Sequence, residues 1–403
     1  MFNKLSVGAR LLTFPLLLGA VAISGGSPVL AEMFSSMGSI PGIITMILGL
    51  CLLITIHELG HWLVARLFGF KTPVFSIGFG KREWSLVLGK FWDTEFRIAP
   101  ILAGGYVSIP ELQDESTLND MSKAGADLPK DLKVFPVWQR IAVAAAGVVF
   151  NVISAVIMLF AVFMLYGQPD YKVNSTYIKD VSTTQVTIAR DAGLQANDEF
   201  VSVGGQKIVT PDDLAKQVQA NKGKPVEVVV KRGGSDVKVT VTPNQDGRIG
   251  IGLGANAERF YHEMSAGEAA SRSVSVTGNM IVMTFKGFGM MLGIVEKPAN
   301  LTDKDLEVRG IVGIVQMGSG ALSTGVFDFV WFLMAISINL AVLNILPVPL
   351  LDGGHIVFFL IEGVTGKPVN PRVKNILSNI FLFALLGLFL LGLTNDIGHI
   401  IGG

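Results

Sequence analysis

The chain has one cysteine, Cys51, and only five histidines among its 403 residues. A single cysteine excludes an internal disulfide and any zinc site assembled from several thiolates. Charge is scarce as well: Asp, Glu, Lys and Arg make up 16% of the residues, against about 25% in soluble domains. The formal net charge is zero, so nothing electrostatic points to nucleic acid as a partner. What fills the gap is apolar, 50% of the residues, and much of it falls in long uninterrupted runs. Such a chain is predicted to sit in a lipid bilayer.

Four runs are predicted to span it. The first, Ile43–Phe70, carries no charge as far as Ile56 and then places His57-Glu58-Leu59-Gly60-His61 inside apolar sequence. A spanning helix needs about 20 residues, which puts these polar groups at membrane depth. A charge there costs roughly 2.5–3.5 kcal/mol and marks function by default. On a helix, His57 and His61 lie one above the other on a single face. Two imidazoles so placed suit one zinc ion, with the adjacent Glu58 as general base toward water. The competing reading is three polar groups bonded to neighbouring helices around a cavity.

The second run, Ile141–Tyr166, is rich in small residues (AVAAAGVVFN) that permit close helix packing, and carries Asn151 in its first half. The third, about Phe327–Leu346, runs on into NILPVPLLDGG, where Asn344, Pro347 and Pro349 interrupt the helix and Asp352 stands in apolar surroundings. Zinc with two histidine ligands needs a third protein ligand before water takes the fourth position. Asp352 supplies it, unless it caps a helix starting at Gly353; His355 is a weaker alternative. The fourth run is Ile376–Leu393.

Lys71, Lys81, Arg82, Lys90, Arg97, Lys123, Lys130 and Lys133 separate the first two spans, and Lys367, Arg372 and Lys374 the last two. Cationic loops stay cytoplasmic, so both termini and the segment between the second and third spans are expected outside. Met1–Ala31 reads as a secretory signal, an uncleaved anchor, or an over-long start before Met33. Phe96–Pro110 is apolar and β-prone, with Gly104-Gly105 read as the turn of a hairpin. That hairpin either dips into the membrane, sheltered by protein, or lies at the surface; its edge is suited to pair with an unwound chain. Glu111–Lys133 is polar. Gln168–Gly254 has strand runs (VEVVVKR, VKVTVTP) and a helix capped by Thr210 with Pro211 in its first turn, which makes a separate small domain. Glu258–Gly293 is amphipathic and expected to be an interfacial helix, followed by a loop to Gly320.

HELGH, the Gly104-Gly105-Tyr106 hairpin, the outer domain and NILPVPLLDGG together resemble the site-2 protease family. Order and spacing are most similar to the bacterial branch represented by RseP and RasP, over about Met33–Leu393. The resemblance implies a polytopic α-helical membrane protein with about four core transmembrane helices, a membrane-associated β-hairpin and an inserted α/β PDZ-like domain. The expected parts of the chain are a signal-like or extra apolar segment (1–32), not typical of the family, the catalytic core in two halves (33–166 and 321–403), the PDZ-like domain (168–254) and an amphipathic surface segment (258–320). The resemblance also implies an intramembrane metalloprotease with one zinc per chain, held by His57, His61 and Asp352, with Glu58 as base. Asn344 and the hairpin at Gly104, Gly105 and Tyr106 would hold the substrate extended. Expected substrates are single-span membrane proteins already trimmed on the outer side, such as anti-sigma factors or remnant signal peptides, and no nucleic acid. The expected site is the inner membrane, with the active centre toward the cytoplasmic side. One departure stands out: members often carry Gly-Pro where this chain has Gly147-Val148, which leaves a kink there in question. Two other classes compete, a polar-path transporter and a non-catalytic PDZ scaffold. Against the first, the sequence shows no repeated half of the kind many transporters have; against the second, a scaffold has no need of Glu58.

Overall fold

The computed structural model describes residues 39–113, 118, 131–181, 186–298 and 309–401. The signal-like segment 1–32 and most of the polar stretch Glu111–Lys133 lie outside the described residues.

Helix α1 covers Ile40–Phe68; the Ser39 hydroxyl accepts from the Gly42 N–H at its start, and Gly69 closes it in the left-handed conformation. Four strands follow: β1 (Val74–Phe79), β2 (Leu86–Phe91), β3 (Thr94–Ile98) and β4 (Ile101–Val107), in sheet order β2-β3-β1-β4. This corrects the expected hairpin. Gly104 and Gly105 are not a turn but lie within β4, where Gly105 faces Ile77 and Tyr106 faces Ser76 of β1. The chain reverses at Ala99-Pro100 instead, and β1 separates β3 from β4. The reason is close approach: a Cβ on Gly105 would stand 3.0 Å from Ile54 Cγ2 and 3.4 Å from Glu58 Cγ. Trp62 fastens the sheet to α1, donating its indole N–H to Thr94 Oγ1 at 2.9 Å and stacking on Trp92.

Helix α2 (Val137–Tyr166) continues as one helix through Gly147-Val148. Leu165–Met264 then form a compact unit of their own. It contains β5 (Gln168–Val181), the short α3 (Ile188–Asp191), β6 (Glu199–Val203), β7 (Gln206–Lys207), α4 (Pro211–Ala220), β8 (Val226–Arg232), β9 (Ser235–Val241) and β10 (Ile251–His262). The sheet runs β10-β5-β6-β8-β9, with β7 on β6. Its core includes Ile178, Phe200, Val203, Leu214, Val228 and Val230. Helix α4 opens with a capping box between Thr210 and Asp213. Because β10 stays paired with β5 as far as His262↔Gln168, residues 258–262 are strand, not the start of an amphipathic helix.

The remaining helices belong with α1 and α2 in the other unit: α5 (Ala266–Met291), α6 (Ile311–Thr324), α7 (Val326–Ile345), α8 (Asp352–Thr365) and α9 (Pro371–Ile401). Helix α5 buries Ala269, Ser273 and Thr277, and Thr284 donates to Asn339 Oδ1 of α7 at 3.0 Å. It therefore runs beside a span at that point. Helix α6 replaces the end of the expected loop, of which residues 299–308 lie outside the described residues. Its Val312 and Val315 share a core with Met46 and Leu53 of α1 and with Phe329 and Leu333 of α7. The residue at its N-cap, Gly310, has no side chain to cap with. The buried carboxylate of Asp396 in α9 does so instead, accepting from the Gly310 and Gly313 N–H groups at 3.0 Å each. Among the described residues, α1, α2, α7 and α9 are long and apolar enough to cross a membrane. Helix α9 leaves Phe383 72% and Leu386 50% exposed, an apolar surface of the kind that needs a non-aqueous neighbour.

In the Leu165–Met264 unit, buried Asp198 accepts from Arg232 Nε and Nη2 at 2.7 and 2.6 Å and from the Gln195 N–H at 2.8 Å. Burial favours its neutral form, but Arg232 and the Gln195 N–H outweigh this and hold the carboxyl below its ordinary value. A carboxyl held low contributes stability above its unfolded value of about 3.9. The contribution is lost as pH falls through the lower folded value. Hydrogen exchange of β6 and β8 amides in the full chain, corrected for intrinsic rate, is expected to accelerate below about pH 4. Arg232→Met strands a buried carboxylate and is expected to accelerate it already at neutral pH, by up to about 3 kcal/mol.

Candidate metal centre

Helical spacing on α1 sets the His57 and His61 rings edge to face, centroids 4.8 Å apart, and both are buried. Their Nε2 atoms are 3.2 Å apart. Asp352 Oδ2 lies 3.2 Å from the first and 3.4 Å from the second. Asp352 is the first residue of α8, with Leu351 in the cap position and no side-chain capping bond. The capping alternative therefore gives way to a carboxylate turned toward the histidines.

Local sequence explains how Asp352 arrives there. After α7 the chain folds through tight turns, with Val348 N–H on Leu346 O at 2.7 Å and Leu351 N–H on Val348 O at 3.0 Å. Gly353 then presses against the end of α7, where a Cβ would stand 2.2 Å from the Ile345 carbonyl oxygen. Farther along α8, Glu362 takes two hydrogen bonds from Arg140 of α2, at 2.6 and 3.0 Å, and the guanidinium lies over Phe359.

Helix α2 faces the pair of imidazoles. The Val143 carbonyl lies 2.8 Å from His61 Nδ1, and the Asn151 amide, through Nδ2, 3.0 Å from His57 Nδ1. Between them, a Cβ on Gly147 would stand 2.3 Å from His61 Nε2 and 2.6 Å from His57 Cε1. The Ser154 and Ser337 hydroxyls both bond the Asn151 carbonyl, at 2.8 and 2.9 Å, tying α2 to α7. Sequence reasoning found none of this. The signal available was the spacing of 143, 147 and 151, one turn apart on one face of a small-residue span.

The other expected residues divide. Glu58 is half-buried and faces the Val107 backbone N–H, with Gly105 beside its side chain. Asn344 Nδ2 lies 3.4 Å from His57 Nε2. Tyr106 alternates to the other face of β4, where its hydroxyl accepts from Arg97 and its ring stacks on Phe79. Gly104 packs on the same Phe79 ring. His355 lies beside Phe359 and outside the cluster: among the described residues, the group with metal-ligating geometry is His57, His61 and Asp352.

Three ligand-type atoms converge, and buried Asp352 Oδ2 faces no polar group of the described residues besides the two imidazoles. Zinc bonds of about 2.0–2.2 Å at tetrahedral angles separate ligand atoms by roughly 3.3–3.5 Å. The distances of 3.2, 3.2 and 3.4 Å match that spacing. Two nitrogens and one carboxylate oxygen also suit zinc chemically. Gly147→Ala would put a methyl group against His61 Nε2. It is expected to lower zinc affinity at least about tenfold with helix content unchanged, checked by chelator competition and circular dichroism on the purified chain.

The model of peptidase family M50 matches residues 45–388. A protein named by inference as a zinc metalloprotease in Agrobacterium fabrum is 30% identical over 383 residues, covering 89% of this chain and 96% of its own. Similarly named proteins of Nostoc sp. (33% over 348 residues; 84% and 91% covered) and Clostridium perfringens (30% over 357 residues; 88% and 98%) match as well. With its spanning helices and its cluster of two histidines and an aspartate, the chain belongs to peptidase family M50, the site-2 proteases, and is a zinc-dependent protease integral to the membrane.

Proposed function

We propose that the protein hydrolyses peptide bonds within or near the transmembrane segment of single-span membrane proteins. In this reading His57, His61 and Asp352 hold the zinc, Glu58 is the general base, and Asn344 and β4 handle the substrate. The observation that carries it is the set of three ligand atoms 3.2–3.4 Å apart on and beside a helix long enough to cross a membrane. Bound zinc supplies a lowered pKa for water, from 15.7 to about 7, and polarises a substrate carbonyl.

The chain's own groups do the rest. Glu58 takes a proton from the attacking water and returns it to the leaving amine, a role worth about 10²–10⁴ in rate. The Asn344 amide, at the end of α7 and 3.4 Å from His57 Nε2, donates to the oxygen on which charge develops. A helical substrate keeps its carbonyls bonded within itself and offers none. Strand β4 ends the sheet order and carries Gly104 and Gly105 past Glu58. A substrate segment that unwinds and adds to this edge presents a bare carbonyl in place of the bonds it gave up. Substrates should therefore hold helix-weakening residues near the cut and arrive already trimmed on the outer side, as anti-sigma factors or remnant signal peptides would.

The Leu165–Met264 unit is read as PDZ-like, with a role in screening or docking substrates, as in the single-PDZ bacterial branch. The lysine and arginine distribution favours the inner membrane with this unit and both termini outside, and a catalytic centre toward the cytoplasmic side. The test is cleavage of a model single-span substrate by the purified chain in detergent, wild type beside Glu58→Gln, with bound metal measured in both. Wild type should cut, Glu58→Gln should be slower by about 10² or more, and both should hold one zinc. Equal rates would remove Glu58 from its role, and loss of zinc from Glu58→Gln would recast it as part of the metal's support.

A further inference from the structure

The nitrogens that face away from the metal position are as constrained as those that face it. His61 Nδ1 has only a carbonyl, that of Val143 at 2.8 Å. A carbonyl accepts and cannot donate, so Nδ1 carries the proton and Nε2 keeps its lone pair. His57 Nδ1 meets the Asn151 side chain at 3.0 Å. An amide offers either group: its NH2 would leave the proton on Nε2 and block ligation there, whereas its oxygen would hold it on Nδ1. Asn151 is fully buried, and its Oδ1 has no partner. Turning the amide over exchanges groups of equal size. It leaves the number of bonds unchanged, since the NH2 then takes the unpartnered place. The lone pair required on His57 Nε2 decides between the two.

We propose that Asn151 is a positioning residue whose side-chain oxygen accepts from His57 Nδ1–H, so that one face of the second span, at Val143, Gly147 and Asn151, fixes the tautomer of both histidines. The inference rests on His57 and His61 being zinc ligands. Val143 and Asn151 are the outer partners that metal-bound imidazoles require, and Gly147 between them leaves the rings room to lie flat on the helix. Ser337 of α7 bonds the Asn151 carbonyl at 2.9 Å, so the helix that delivers Asn344 also steadies the residue that orients His57.

The experiment uses the full chain in detergent. First, the wild type is loaded with cobalt(II) and its hyperfine-shifted proton spectrum is compared in H2O and D2O. Two solvent-exchangeable imidazole signals are expected, one from each Nδ1–H; a single signal would overturn the assignment for His57. No shifted signal at all would instead overturn the ligand reading on which it rests. Second, zinc affinity is measured by chelator competition. Asn151→Leu should bind about 10–100-fold more weakly. Asn151→Asp, which can only accept, should bind within about threefold of wild type or more tightly, because carboxylate–histidine–zinc arrangements support the same tautomer. A role in packing alone would hurt the buried charge at least as much as leucine. Equal affinity in Asn151→Leu, or an Asn151→Asp as weak as Asn151→Leu, overturns the proposal. If neither variant folds, solvent exchange in the wild-type cobalt spectrum decides it: a His57 Nδ1–H held by Asn151 should exchange with D2O about as slowly as the His61 Nδ1–H on its carbonyl, and a far faster exchange overturns the proposal.

Discussion

Three acceptor atoms brought within 3.4 Å of one another in a buried place repel unless something positive sits among them. Much of the membrane unit can be understood as what it takes to hold that arrangement. Helix α1 supplies two of the atoms by helical repeat alone. The third comes from the far side of the chain, and it arrives only because the segment after α7 turns tightly enough for Gly353 to lie on the last carbonyls of that helix. Arg140 and Glu362 hold α8 from its other end. Helix α2 closes the back of the site with a glycine where any other side chain would collide with the rings. At Gly353 and Gly147 the support is a close approach that a side chain would block, which is why small residues gather where the helices meet.

What the sequence made legible was the chemistry carried by residue type and local spacing. His57, Glu58 and His61 sit on one turn of one helix, so their relation needed no knowledge of the rest of the chain. Asp352 was legible because an acid in apolar sequence needs a reason. Residues 104 and 105 show the limit. Paired glycines favour turns in isolation, yet here their use is the missing Cβ, which lets a strand lie against α1 beside Glu58. Nothing local distinguishes the two uses, because the partner is about fifty positions away.

Other misses have related causes. Helix α6 carries glycines at 313, 318 and 320, which lower helix propensity, but 313 and 318 sit against neighbouring side chains, and tertiary packing overrides the local preference. The Val143 carbonyl could not have been found by residue type, since every residue has one. Asn151 was visible as a polar residue in a span, but its partner was not. The boundary of the Leu165–Met264 unit was set too early, because strand β10 continues along β5 past the point where the composition changes.

Asp396 has a bearing on the order in which the protein can be assembled. It lies in the last helix, yet the two N–H groups it satisfies begin α6, and α6 packs against Met46 and Leu53 of the helix that bears the histidines. A ribosome makes HELGH long before it makes the cap for the neighbouring helix. While the chain is still emerging, the start of α6 lacks this cap and the packing around the histidine-bearing helix lacks one of its supports. Completion of the core around the two histidines is thereby coupled to the synthesis of α9, so the cluster gains this support only after Asp396 has been made.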